Sequence, residues 1–211
     1  MTGLLAVALT AQFRARRYIP SIYWISVVLI SVVGTLITDN LTDNLGVSLF
    51  VSTGVFAAAL AATFGIWYAR ERTLSIHTIS TTPREAFYWL AVLLTFALGT
   101  AAGDLFAEKL AFGYGPSVLI FGGMIGAITV AWKKLGLNAV TAFWAAYILT
   151  RPLGASIGDF TSQPTSNGGL SLGTTGTSLI FLTAILGLVS YLTITKVDRT
   201  ENREEAALEA A

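Results

Sequence analysis

Long apolar runs separated by short polar stretches dominate this chain. They cover roughly Tyr18 to Thr38, Leu45 to Tyr68, Phe87 to Gly103, Tyr114 to Trp132, Val140 to Ile157 and Leu172 to Thr195. Most approach or exceed the roughly 17–25 residues that a helix needs to cross a bilayer, so the pattern predicts six spanning helices. Two runs are short enough to leave their terminal turns among lipid headgroups. Within them Trp24, Gly34 and Asp39 recur as Trp89, Gly99 and Asp104 and again as Trp144, Gly154 and Asp159. The three units read YWISVVLISVVGTLITD, YWLAVLLTFALGTAAGD and FWAAYILTRPLGASIGD.

A polar endpoint at one fixed register of a recurring apolar segment signals an internal repeat. Each unit continues through an outward loop to Gly-x-Ser at the next apolar run: Gly46 and Ser48, Gly115 and Ser117, Gly176 and Ser178. The expected fold is an all-α polytopic membrane bundle of three parallel two-helix repeats, with six full spans plus a short N-terminal half-span or interfacial helix. Repeat one occupies 18–69, repeat two 87–134 and repeat three 140–195. Residues 1–17 form a short apolar helix and basic segment, 70–86 a connection and 196–211 a charged tail, all in one membrane domain. Because every unit holds an even number of spans, the symmetry runs along the membrane normal, unlike that of inverted repeats.

Composition agrees with the pattern. The chain is 54% hydrophobic and 12% charged, against about 25% charged residues in a typical soluble domain. Charge also orients it. Eleven of the 13 basic residues cluster at Arg14–Arg17, Arg70–Arg84, Lys133–Lys134 and Lys196–Arg203, all on one side of a six-span chain. The positive-inside rule assigns that side, with the N-terminal basic segment and the C-terminus, to the cytoplasm of a bacterial inner membrane. The opposite loops carry Lys109 with Asp39, Asp43, Asp104, Glu108 and Asp159. No basic stripe with interleaved aromatics suggests nucleic acid. Lipids are the expected partners, with anionic headgroups beside the basic clusters.

Met1 to Ala11 is apolar but only about 16 Å long as a helix, too short to cross. A signal peptide would have a basic leading region, which is missing. An interfacial helix, or the tail of a span that begins upstream, fits better; the second reading is favoured.

The candidate chemistry is sparse. Cysteine is absent and there is one histidine, His77, so thiolate metal sites, iron-sulfur clusters and paired-histidine haem ligation are excluded within one chain. Ser75, His77 and Glu85 are neighbours in sequence, which makes no triad. No catalytic residue, metal or cofactor is expected, and the chain is not read as an enzyme. The candidate ion or substrate pathway comprises Asp39, Asp104, Asp159, Glu108 and Arg151. Three carboxylates at one depth could attract cations or relay protons, or simply cap helices. Asp39 with Asp43 and Asp104 with Glu108 would share a helical face, but Gln163 breaks that pattern in repeat three. Arg151 lies inside a span beside Pro152; a carboxylate from another repeat, an anionic substrate and snorkelling are the open alternatives.

Small residues predict packing seams at Gly34, Gly99, Gly103, Gly154, Gly158, Gly122 and Gly126, some of which could also serve a homo-oligomer. Trp24, Trp89, Trp144, Trp67 and Trp132 lie at span ends and are expected to anchor at headgroup level. The third outer loop, rich in glycine, serine and threonine, reads either as a partial plug or as a re-entry cap.

The segments FRARRYIPSIYW, IWYARERTLSIHTI, LAFGYGPS, FWAAYILTRPLGASIGDF and NGGLSLGTTGTS resemble a family of bacterial uncharacterised membrane-anchored proteins built from a tandem two-helix repeat of unknown function. The resemblance covers nearly the whole chain up to about Thr195. It implies four such repeats in the family and supports reading Met1–Phe13 as the end of a preceding repeat. It brings no catalytic assignment. The sequence therefore leads to a transporter or ion-conducting protein for a cation, a proton-coupled solute or a small anion, with a noncatalytic scaffold or assembly factor as the alternative.

Overall fold

The computed structural model describes residues 1–15, 19–79, 81–109 and 113–195, with the side chains of His77 and Glu108 outside the described set. Among the described residues seven α-helices follow one another: α1 (Thr2–Arg14), α2 (Pro20–Asp39), α3 (Leu49–Glu71), α4 (Thr82–Asp104), α5 (Tyr114–Leu135), α6 (Ala139–Ser162) and α7 (Gly173–Thr195). Local chemistry sets their ends. Pro20 and Pro83 occupy first-turn positions of α2 and α4, where no backbone donor is needed. The Asn138 side chain accepts from the Val140 and Thr141 amides at 2.9 and 3.3 Å, capping α6. Gly136 ends α5 at φ 72°, a left-handed conformation that costs glycine little.

Five helices, α2, α3, α4, α5 and α7, are long and apolar enough to cross a membrane. The expectation of six full spans is therefore met in part. α6 has the length, at 24 residues, but Arg151 and its many small polar residues lower its hydropathy. It compensates by position, since α5 packs on one side of it and α4 on another.

The packing order follows the repeat. The first helices α2, α4 and α6 form an inner layer in which α4 touches both others. The second helices dock outside and across the repeat boundary: α3 on α4 and α5 on α6, with α1 taking the corresponding place on α2. α7 rests more lightly on α6 and α2. More than half of the apolar window of α4 is buried (56%), against 6% for α7. The outward leucine, isoleucine and phenylalanine side chains of α7 suit a lipid surface.

The sequence turned the tryptophans toward headgroups, and the structure turns most of them inward. Trp67, Trp89 and Trp144 are nearly fully buried, Trp24 is half-buried and Trp132 is exposed. Trp67 meets Trp144 edge-on at 5.8 Å and stacks on Phe87 at 6.1 Å. The converging ends of α3, α4 and α6 leave a space that large rings fill, and such pairs gain about 0.5–1.5 kcal/mol beyond burial. Two indole amides are served, Trp144 Nε1 donating to the Leu74 carbonyl at 2.8 Å and Trp89 Nε1 to Glu85 at 3.3 Å, whereas those of Trp67 and Trp24 are buried without a partner among the described residues. For Trp67, Trp89 and Trp144 the expected headgroup placement is thus replaced by packing inside the bundle.

Candidate functional site

The inner helices are joined by glycines. A methyl group added at Gly34 would lie 2.7 Å from Phe96 Cβ, and one at Gly99 would collide with Arg151 Cβ. One at Gly103 would meet Ala155 Cβ at 3.3 Å. In the repeat alignment Gly34 and Gly99 are the same position, and so are Phe96 and Arg151. The α2–α4 and α4–α6 seams are thus two copies of one joint. Thr38, fully buried on α2, adds an interhelical bond of 2.9 Å to the Ala97 carbonyl, and the Thr35 and Thr100 hydroxyls lie 3.2 Å apart. In lipid, close approach and such hydrogen bonds replace the hydrophobic drive between helices. The other predicted seam residues do not act this way. Gly126, Gly154 and Gly158 have nothing within 4 Å of an added methyl, and Gly122 has Leu153 at 4.0 Å.

Arg151 lies halfway along α6 and is only partly accessible. Its guanidinium carbon sits 3.1 Å from the centre of the Phe96 ring and 5.4 Å from that of Tyr147. Its Nη2 reaches the Tyr147 hydroxyl at 3.4 Å, and buried Nε has no partner among the described residues. No carboxylate pairs with it among the described residues, so the ion pair considered from sequence is replaced by aromatic contacts. The balance is incomplete. An arginine at the centre of a membrane helix costs about 2.5–3.5 kcal/mol on insertion scales, and one cation–π contact returns roughly 0.5–2 kcal/mol.

Phenols complete the surroundings. The hydroxyls of Tyr23 on α2 and Tyr88 on α4 are 2.5 Å apart. Tyr88 is buried, whereas Tyr23 and Tyr147 keep some accessible surface. Tyr147 thus supplies the hydroxyl that meets the guanidinium, while Tyr23 and Tyr88 join the other two inner helices. Sequence reasoning noted Tyr23 and Tyr88 only as companions of tryptophan and missed Tyr147 and Phe96. Tyr147 was findable, being four residues before Arg151 and hence on its face. An open groove between α1 and α2, lined by Thr2, Val33, Leu36, Ile37, Asn40 and Leu41, carries no charge.

Asp39, Asp104 and Asp159 lie at the opposite end of the inner helices from the tryptophans, and each is half-buried. Asp39 and Asp104 close α2 and α4, and a single π-helical turn follows each, at Asn40–Asn44 and Leu105–Lys109. Exposed Asp43 lies in the first of these turns, beyond the α-helix that Asp39 closes. The side chain of Glu108, the remaining pathway candidate, lies outside the described residues. Among those described, no group of three or more acidic or histidine residues is placed to hold a metal ion. In repeat three the helix instead runs past Asp159 to Ser162. The glycine-rich loop then folds back: the Leu170, Ser171 and Leu172 amides donate to the Phe160, Gln163 and Thr161 carbonyls at 2.7–3.0 Å. That satisfies exposed carbonyls at the end of α6.

Fold and sites together define an all-helical membrane protein of tandem two-helix units with a charged residue inside its inner layer. The chain belongs to the family described as Repeat of Unknown Function (DUF347), matched at residues 22–73, 87–136 and 142–198. No curated protein and no solved structure matches it.

Proposed function

We propose that this protein is a transporter or ion-conducting protein for a small charged solute. In this reading α6 joins the five apolar helices as a sixth span, and α1 is a shorter element held against α2. The reading rests on Arg151, a buried guanidinium halfway along its helix, paired with no carboxylate among the described residues. An intramembrane charge of this kind is expensive, and function is the usual reason for keeping it. Asp39, Asp104 and Asp159 supply a second charged level at the outer end of the same three helices, where they would attract or relay ions. A flux screen in reconstituted vesicles, over protons, metal cations and small organic anions, tests this. Arg151→Gln or Asp104→Asn should abolish a flux that the unaltered protein supports, with insertion retained. No flux across the whole panel by correctly inserted protein would overturn it.

A noncatalytic scaffold or assembly role is the second reading. It is favoured by the Gly154 and Gly158 face of α6, open although the equivalent Gly34 and Gly99 each receive a neighbouring helix.

A further inference from the structure

We infer that Arg151, with the hydroxyl of Tyr147 and the ring of Phe96, forms a binding site for a small monocarboxylate. The inference deepens the transport reading and rests on it for the route by which the anion arrives.

The geometry selects the ligand class in three ways. The guanidinium is planar with five donors, of which one makes a long bond to Tyr147 and Nε makes none among the described residues. A planar fork with donors to spare matches a carboxylate bidentately. Charge gives the second argument. One guanidinium balances one negative charge, and no lysine or second arginine is near in sequence or on the neighbouring seam residues, so a phosphate would remain uncompensated. The third concerns the walls. Phe96 lies under the guanidinium, and Trp144 lies 5.6 Å from Tyr147. Those rings would cover the apolar body of an organic acid, while the Tyr147 hydroxyl donates to its second oxygen.

The site also explains a mismatch between the two seams. Gly34 and Gly99 make equal room, yet the residue received is a phenylalanine in one seam and an arginine in the other. Packing alone requires only the former. The stem of Arg151 fills the joint, and its head extends over the Phe96 ring to the Tyr147 hydroxyl.

The purified protein in detergent should show saturable quenching or enhancement of tryptophan fluorescence on titration with benzoate, because Trp144 borders the site. Arg151→Gln should weaken that binding by about tenfold or more, as expected for lost hydrogen bonds to a charged group. Arg151→Lys keeps the charge without the fork and should weaken benzoate while sparing chloride. Tyr147→Phe, a milder change, should weaken benzoate severalfold and serves if the arginine variants unfold, which thermal unfolding would reveal. Absence of saturable binding by folded protein, benzoate binding unchanged in folded Arg151→Gln, or phosphate or chloride binding as tightly as benzoate would each overturn the assignment. Benzoate binding without vesicle flux would leave this site standing and remove the transport reading. Flux that persists without benzoate binding would do the reverse.

Discussion

The Cα of Gly99 lies so close to Arg151 that a side chain on the glycine would occupy the space of the arginine Cβ. Because backbone atoms of Arg151 also lie 3.2 Å from that point, rotation of one flexible side chain cannot relieve the clash. Gly99→Ala should therefore force α4 and α6 apart at a cost of about 1–3 kcal/mol, typical of overpacking. Thermal unfolding in detergent would measure it. The equivalent Gly154→Ala meets no atom within 4 Å and should be neutral or up to about 1 kcal/mol stabilising through helix propensity. Equal effects at the two positions would refute the seam.

The Tyr23–Tyr88 hydroxyl pair joins α2 to α4 at the tryptophan end of the bundle. Tyr88→Phe keeps the ring and removes one partner, with an expected loss of about 0.5–1.5 kcal/mol. A double-mutant cycle with Tyr23→Phe isolates the coupling, and additive effects would show that the pair contributes nothing.

Trp144 holds the connection between α3 and α4 through the Leu74 carbonyl. Trp144→Phe preserves much of the ring packing but cannot donate. Trypsin should then cut faster at the exposed Arg70 and Arg72, while helix content by circular dichroism stays constant. Unchanged cleavage would show that the segment is held by other contacts.

The absence of cysteine makes single-cysteine labelling a clean measure of topology. Asp43→Cys and Thr81→Cys flank α3 and should label from opposite sides of a sealed vesicle. Gly136→Cys and Ser166→Cys flank α6 and should do likewise, with Gly136 on the side of Thr81. Labelling of the second pair from one side would mean that α6 does not cross.

Helix count and order were legible because apolar runs of bilayer length leave few alternatives. Boundaries shifted where local backbone intervened: the run from Leu45 begins as a helix only at Leu49, since the π-helical turn ends at Asn44 and Gly46 adopts φ 65°. The close packing at Gly34 and Gly99 was readable from the small-residue spacing. That Gly154 faces open space was not, because the same spacing carries no information about which neighbour is present. Ring direction escaped for a similar reason: a tryptophan at a helix end satisfies its indole amide equally well from a loop carbonyl or a headgroup. At Arg151 the sequence located the charge and left its partner open, since it offered no way to see that Phe96 would lie beneath the guanidinium.

Ser31, Phe96 and Arg151 stand at one position of the three repeats as a hydroxyl, a ring and a guanidinium. A symmetric scaffold by itself has no preferred place for a ligand, because each copy offers the same surface. Divergence at this joint gives the ring of helices a direction, and it does so where the backbone is already most tightly constrained. A side chain that can change identity between copies without moving the helices is free to be selected for what it binds.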